Sequence, residues 1–333
     1  MTSTADHTTQ ADFSNDHIAP ERLQSLLKDQ IAELQSQHSR PLSLRWLGKQ
    51  KEGTDTTTKV LVKTAGGQSA AVIVCARPAS PDLIARSSEM AEQVRRLIGP
   101  RLGRVIPQPI AQGVVDGRSY VILPCYREFS SWKPLRVCQR LRLRRPLLNW
   151  LREACREAAE TIQMEEVTSP SFRSQLQYLH ELHFVDGPIR WTIELLLNRL
   201  DAQIWRPRHT FDHNDLWLGN IMLPRRDEAK RHRAFPFILI DWGGANPHGY
   251  GMYDLVRIGK AFKLSDRALL REVQAHAHVL GCDPYDTRGH LLASLARLHR
   301  HLEHFPEERY IATFRSCWNR LDGLLTRHGE GLV

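Results

Sequence analysis

The chain has 333 residues, 41% hydrophobic and 25% charged, an ordinary balance for a globular protein of about two domains. With 20 Gly and 18 Pro it is neither collagen-like nor disordered in bulk, and no apolar run nears the ~20 residues of a membrane-spanning helix. Forty-six Lys and Arg against 37 Asp and Glu give a net charge of +9, which favours anionic partners such as phosphates, nucleic acid, acidic glycans or an anionic membrane surface without choosing among them.

Residues 1–17 are polar and show neither the basic nor the apolar region of a secretory leader, so a mobile tail and a cytoplasmic protein are expected. Six cysteines, at 75, 125, 138, 155, 282 and 317, form no CxxC pair and no disulfide framework, which agrees with reduced thiols. Leu23, Leu26, Leu27, Ile31 and Leu34 recur at helical spacing behind Pro20. Strands are expected at Leu42–Leu47, Thr57–Lys63 and Ala70–Ala76, the last two joined by a Gly66-Gly67 turn. Pro81–Ile98 reads as a helix with Met90, Val94, Leu97 and Ile98 on one face. Ile110–Val115 and Ser119–Leu123 flank Asp116-Gly117, a strong hairpin signal.

After Pro124 the composition changes. Segments 134–163, 170–184 and 188–204 are helical in pattern, a β-rich patch follows at 208–241, and two or three helices are expected between 252 and 327. The chain therefore divides into a tail (1–17), a β-rich lobe with one helix (18–124) and a larger, mainly helical lobe (125–333).

The informative stretch is His213-Asn214-Asp215-Leu216-Trp217-Leu218-Gly219-Asn220, followed by an apolar strand, a basic tip from Arg225 to Arg233, and a return strand ending in Ile240-Asp241-Trp242-Gly243-Gly244. A hairpin of this length returns Asp241 close to Asn220. Two carboxylates and an amide oxygen then converge, a donor set that suits Mg²⁺ with phosphate oxygens. The adjacent glycines leave room for a phosphate near the backbone.

The spacing H-x-D-x-x-x-x-N followed by a strand-terminal Asp resembles the protein-kinase-like phosphotransferases. Its H-N-D-L and I-D-W forms look most like the aminoglycoside phosphotransferase and choline kinase group, and H-x-D-L-W-x-G-N is also similar to fructosamine kinases. The match covers about 211–258, with element order supporting it over about 40–125. The resemblance implies an α+β, two-lobed fold: a small antiparallel N-lobe with one helix and a larger helical C-lobe. It implies ATP and Mg²⁺ as cofactors and transfer of the γ-phosphate to a hydroxyl of a small molecule or sugar.

By that resemblance Asp215 is the catalytic base, Asn220 and Asp241 hold the metal, and His213 and Asp254 support the catalytic loop. Arg77, at the end of the third strand, stands where protein kinases carry a phosphate-binding Lys, with Lys63 as rival. Its helical partner is Glu89 or Glu92, with Glu89 preferred. Cys125 and Tyr126 lie where adenine is held at the hinge. Gly48 and Gly53 sit in a looser loop than G-x-G-x-x-G. No A-P-E pattern follows Asp241, so protein substrates are not expected.

Segment 130–145 holds six basic residues and no acidic one. Arg142, Arg144 and Arg145 are candidate contacts for an anionic acceptor, and peripheral membrane contact fits the same charge. A nucleic-acid surface would interleave more aromatics than Trp132, so no nucleic-acid partner is expected. The acceptor could also be a cell-envelope glycan such as a lipopolysaccharide core sugar, or the chain could be an inactive nucleotide-binding pseudokinase. His180-Glu181-Leu182-His183 lacks zinc spacing, and the histidines between 276 and 304 read as packing or surface residues.

Overall fold

Asp116 and Gly117 both take positive φ, 53° and 70°, the pair that a two-residue hairpin loop of matching twist requires. They join β4 (Ala111–Val115) to β5 (Arg118–Pro124). The computed structural model describes residues 20–37, 42–47, 57–64, 66–164, 172–225, 232, 234–302 and 306–329. The tail 1–17, the loop carrying Gly48 and Gly53, and most of the basic tip after Arg225 lie outside those residues.

The chain divides into two compact units. The first holds the described residues up to Ala85 and Gln108–Cys125, the second Arg86–Pro107 and the chain from Tyr126 onward.

In the first unit β1 (Leu42–Trp46), β2 (Thr57–Thr64) and β3 (Ser69–Ala76) join the hairpin. The sheet is antiparallel throughout, in the order β1-β2-β3-β5-β4. Alternation sends Val60, Val62, Ile73, Cys75 and Ile122 to one face, where they pack with Leu23, Leu27 and Ile31. Those three come from α1 (Pro20–Leu26), the residue after it, and α2 (Lys28–Gln37). The single helix expected there is thus two, broken at Leu27. The opposite face carries a small cluster of Ala76, Ile84 and Val121.

In the second unit α3 (Leu83–Leu97) and α4 (Gly99–Leu102) lead into α5 (Lys133–Met164). Sequence places the α3 helix in the first lobe. From Arg86 on it belongs to the second unit, because Val94 and Ile98 are buried in the large core with Leu102 and Leu147. Trp150 of α5 is fully buried and knits this core. Its Nε1 donates to Leu102 O at 3.0 Å, and its ring meets Phe211 and Phe237 edge-on, each at 6.0 Å. Such edge-on pairs add to the burial energy.

Next come α6 (Phe172–Glu181) and α7 (Gly187–Asp201). The Asp186 carboxylate caps α7 by accepting from Ile189 N at 3.2 Å, a contact worth about 1 kcal/mol. Short strands β6 (Thr210–Asp212), β7 (Ile221–Met222), β8 (Ile238–Leu239) and β9 (Asn246–Gly249) pair as β6–β9 and β7–β8. Four helices follow, where two or three are expected from sequence: α8 (Met252–Ala261), α9 (Asp266–Leu280), α10 (Thr287–Arg300) and α11 (Glu307–Gly329). Ser265 caps the start of α9 and Gly281, at φ 65°, ends it, so the α8–α9 and α9–α10 breaks have local causes.

Candidate active site

The β7–β8 ladder sets the two ends of the site. Ile221 faces Leu239 and Met222 faces Ile238, and Ile240 N donates to Asn220 O at 3.0 Å. Asn220, just before β7, and Asp241, just after β8, therefore leave the ladder at the same end. Asp241 is exposed and takes φ 65°, as does Asn214. Neither is glycine, and side chains rarely hold that backbone without compensation. Asn214 is compensated by donating Nδ2 to Gly244 O at 2.8 Å.

Asn220 points its Nδ2 at Asp215, donating to the backbone O at 2.9 Å and to Oδ2 at 2.7 Å. A carboxylate only accepts, so the amide orientation is fixed by chemistry. The Asn220 Oδ1 is the atom that remains for a cation. With the Asp241 carboxylate it makes two hard oxygen donors, a set that fits Mg²⁺, which keeps several waters of its own. No group of three or more His, Cys, Asp or Glu among the described residues forms a separate metal site.

Asp215 is held by three side chains. Besides Asn220, Trp217 Nε1 donates to Oδ2 at 3.3 Å and Arg257 approaches Oδ1 at 3.4 Å. Partial burial and the nearby Asp241 charge raise its pKa above the usual carboxylate value, while Arg257, Asn220 and Trp217 pull it back. Trp217 reaches Asp215 by folding over Gly219, where a Cβ would fall 2.3 Å from the indole. Glycine at this position is a steric requirement of the loop.

Beneath the loop lie two buried carboxylates. Asp254, in the first turn of α8, accepts from His213 N at 2.5 Å and Asn214 N at 3.1 Å. Asp212 accepts from Tyr250 N at 2.9 Å, Gly251 N at 2.7 Å and the Ser294 hydroxyl at 3.3 Å. Burial pushes Asp254 up to about 8, with the Asp212 charge adding to it, and burial raises Asp212 as well. The pair keeps a proton at a pH where exposed carboxylates have lost theirs. Burial depresses His213 to about 4. Its neutral ring lies 4.4 Å from Trp242 and its Nε2 donates to Ile240 O at 3.2 Å. It thus ties the His213–Asn220 loop to the end of β8 just before Asp241.

Sequence reasoning passes over Arg257, Trp217 and Asp212. Arg257 lies three residues after Asp254, hence on the same face of α8, and that spacing is a usable signal. Asp212 gives none, since its partners come from the turn between β9 and α8 and from α10.

The remaining sequence-derived residues are placed as follows. Arg77 stands one residue beyond β3, its Nε buried without a hydrogen-bond partner. Lys63, the rival, sits at the other end of the strand pair, opposite Ser69. Glu89 accepts from Gln93 at 3.2 Å, while Glu92 pairs with Arg95 and Arg96 of its own helix. Cys125 N donates to Ala70 O at 3.3 Å, extending the β3–β5 ladder by one bond; Tyr126 follows in the second unit. Arg142, Arg144 and Arg145 lie on α5, Arg144 partly buried and the other two exposed. His276 and His290 are buried and donate Nδ1 to Glu272 O and Tyr250 O.

No protein-family model matches the sequence, and no curated protein does. Solved structures do. A mutant aminoglycoside 2'-phosphotransferase of type IIIa in complex with GDP superposes with TM-score 0.51 at 16% identity, over 93% of this chain and 98% of that one. A spectinomycin phosphotransferase bound to ADP and spectinomycin gives 0.44 at 11% identity, over 89% and 98%. An ethanolamine kinase of Plasmodium vivax gives 0.45 at 11% identity, over 94% and 98%. The fold of this chain is that of the kinase-like aminoglycoside phosphotransferases.

Proposed function

We propose that the protein is an ATP-dependent phosphotransferase acting on a hydroxyl of a small molecule or sugar. One observation carries the reading: the β7–β8 ladder brings Asn220 and Asp241 to one end, with Asp215 bonded to Asn220 by side chain and backbone. Phosphoryl transfer is mainly positioning and charge neutralisation, and this arrangement supplies both. The acceptor oxygen bonds to the γ-phosphorus, the bond from that phosphorus to the leaving oxygen breaks, and Asp215 takes the hydroxyl proton. Asn220, Trp217 and Arg257 orient Asp215 for that role. Asn220 and Asp241 would hold Mg²⁺, which when bound neutralises phosphate charge.

Arg77 is proposed to meet the nucleotide phosphates, and the Cys125–Tyr126 backbone to hold adenine. Glu89 stays in the nucleotide set as the glutamate on α3 that no cation of its own helix pairs. Arg142, Arg144 and Arg145 are proposed to favour an acceptor that carries negative charge, such as a phosphorylated sugar of a cell-envelope glycan. A pseudokinase would be free to lose the three oxygen-bearing side chains, and all three stand in place.

The test is ATP consumption by purified protein across amino-alcohols, aminoglycosides, ketosamines, thiamine and phosphorylated sugars, with Asp215→Asn beside wild type. On the substrate found, Asp215→Asn should lower kcat by ~10²-fold or more, the usual scale for a positioned base, and leave ATP affinity near wild type. Near-full turnover by the variant would remove Asp215 from this role.

A further inference from the structure

The first turns of α5 present an unusual surface. Pro134, Val137, Cys138 and Leu141 recur at helical i, i+3, i+4, i+7 spacing, and all four are exposed. Val137 is 49% exposed, Leu141 62%, and Trp132, at the helix entrance, 65%. Cations flank the stripe, Lys133 and Arg144 on one side and Arg142 on the other, and Arg145 continues its line one turn beyond Leu141. No acidic residue occurs from Phe129 to Arg152.

This arm is built and held, not loose chain. Trp132 N donates to the Ser130 hydroxyl at 3.2 Å, Ser130 N donates to Gln139 Oε1 at 2.9 Å, and Arg136 N bonds Trp132 O at 3.0 Å. Arg140 donates to Ala261 O at 2.8 Å, at the end of α8. Leu143, on the side away from the stripe, is 2% exposed. The helix thus faces the protein with one side and shows water an apolar stripe between cations with the other.

We propose that this arm docks on the surface of an anionic lipid bilayer. A bilayer interface offers apolar depth beneath a plane of negative headgroups, and the stripe with its cationic flanks calls for both at once. Tryptophan at the entrance suits that boundary. A nucleic acid supplies phosphates without apolar depth, and a soluble anion leaves the stripe in water. The contact is peripheral, since no helix among the described residues is long and apolar enough to cross a membrane. The proposal is independent of the phosphotransfer reading, because binding to lipid needs neither nucleotide nor turnover.

The experiment is cosedimentation of the full chain with vesicles, without nucleotide, at low and high salt. One set is phosphatidylcholine with about a third phosphatidylglycerol, and the other is phosphatidylcholine alone. Binding to the anionic vesicles that weakens with salt is expected. Trp132→Ser with Leu141→Ser should lower it at least ~10-fold, and Lys133→Gln with Arg142→Gln by a similar factor at low salt, the scale of about two surface cations. Melting temperature is recorded for each variant to show that it folds. No sedimentation at low salt would overturn the proposal. So would binding that survives the Trp132/Leu141 change and is matched by heparin or duplex DNA, which would make the arm a general polyanion surface.

Discussion

Residues 212–220 and residues 132–142 are stretches of similar length in the same unit, and their surfaces are opposite in kind. In the first, polar groups are answered from inside: Asp254 takes two backbone N–H groups, Asp212 takes two more and a hydroxyl, and Asn220 donates twice to Asp215. In the second, apolar side chains such as Val137 and Leu141 stand exposed among the described residues. The 212–220 loop uses buried hydrogen bonds to hold one geometry, which the phosphotransfer proposed for it would reward. The arm keeps its surface uncommitted, which a docking surface needs.

The largest break in this contrast comes from removing a brace. Asp254→Ala strands the His213 and Asn214 N–H groups in a buried position, and a destabilisation of about 2–4 kcal/mol is expected. Asp254→Asn keeps one acceptor, so its melting temperature should lie closer to wild type. Its kcat should still fall, since the loop loses one anchor. A variant equal to wild type in both readouts would mean that the loop holds itself without α8.

The second test is pH. Burial holds His213 and His276 near 4 and His290 near 3, against 6.5 when free. Their folded-state pKa values are depressed, so the stability they contribute is present above pH 6.5 and lost as pH falls towards 4. The Asp212–Asp254 pair works the other way. It holds its proton up to about 8, so its contribution grows as pH falls from there towards the unfolded carboxylate value. The three histidines outnumber the carboxyl pair, so below neutrality the unfolded chain takes up more protons than the folded one. Stability should therefore peak near neutrality and fall as pH drops below 6.5. Urea midpoints between pH 5 and 8 measure this, and a midpoint still rising at pH 5 would show that the histidines are not held neutral.

How much of this was legible in sequence follows the range of the interactions. The Asp116-Gly117 hairpin and the alternation in β2 and β3 are local and were readable. So was the His213–Asn220 spacing, because a short loop fixes it. Strand β9 was not, since Asn246-Pro247-His248-Gly249 has no strand-like composition and is extended only through β6. The Asp212 role is likewise tertiary: its partners Tyr250, Gly251 and Ser294 come from 38 to 82 residues away. Gly251 holds φ 78° there, a backbone that glycine takes without strain. The assignment of α3 depended on which core buried Val94 and Ile98, which periodicity cannot tell. The basic charge of segment 130–145 was plain, but its apolar stripe could equally have faced the core.

That last ambiguity gives the finest test, since α5 carries two leucines two residues apart in opposite surroundings. Leu141 is 62% exposed and Leu143 is 2% exposed within the large core. Two positions on a helix lie about 200° apart around the axis, so one faces solvent when the other faces inward. Leu143→Ser removes buried methyl groups and buries a hydroxyl, for which about 3 kcal/mol is expected. Leu141→Ser, alone or with Trp132→Ser, removes groups that water already touches, and the change should stay within ~0.5 kcal/mol. Urea unfolding of the three variants without lipid decides this. A large loss from Leu141→Ser would mean that the stripe is covered in solution, for instance by a second copy of the chain. The loss would then shrink with dilution, because an interface between copies adds stability to the wild type only as concentration allows. A small, concentration-independent change leaves the stripe free, as docking on lipid requires.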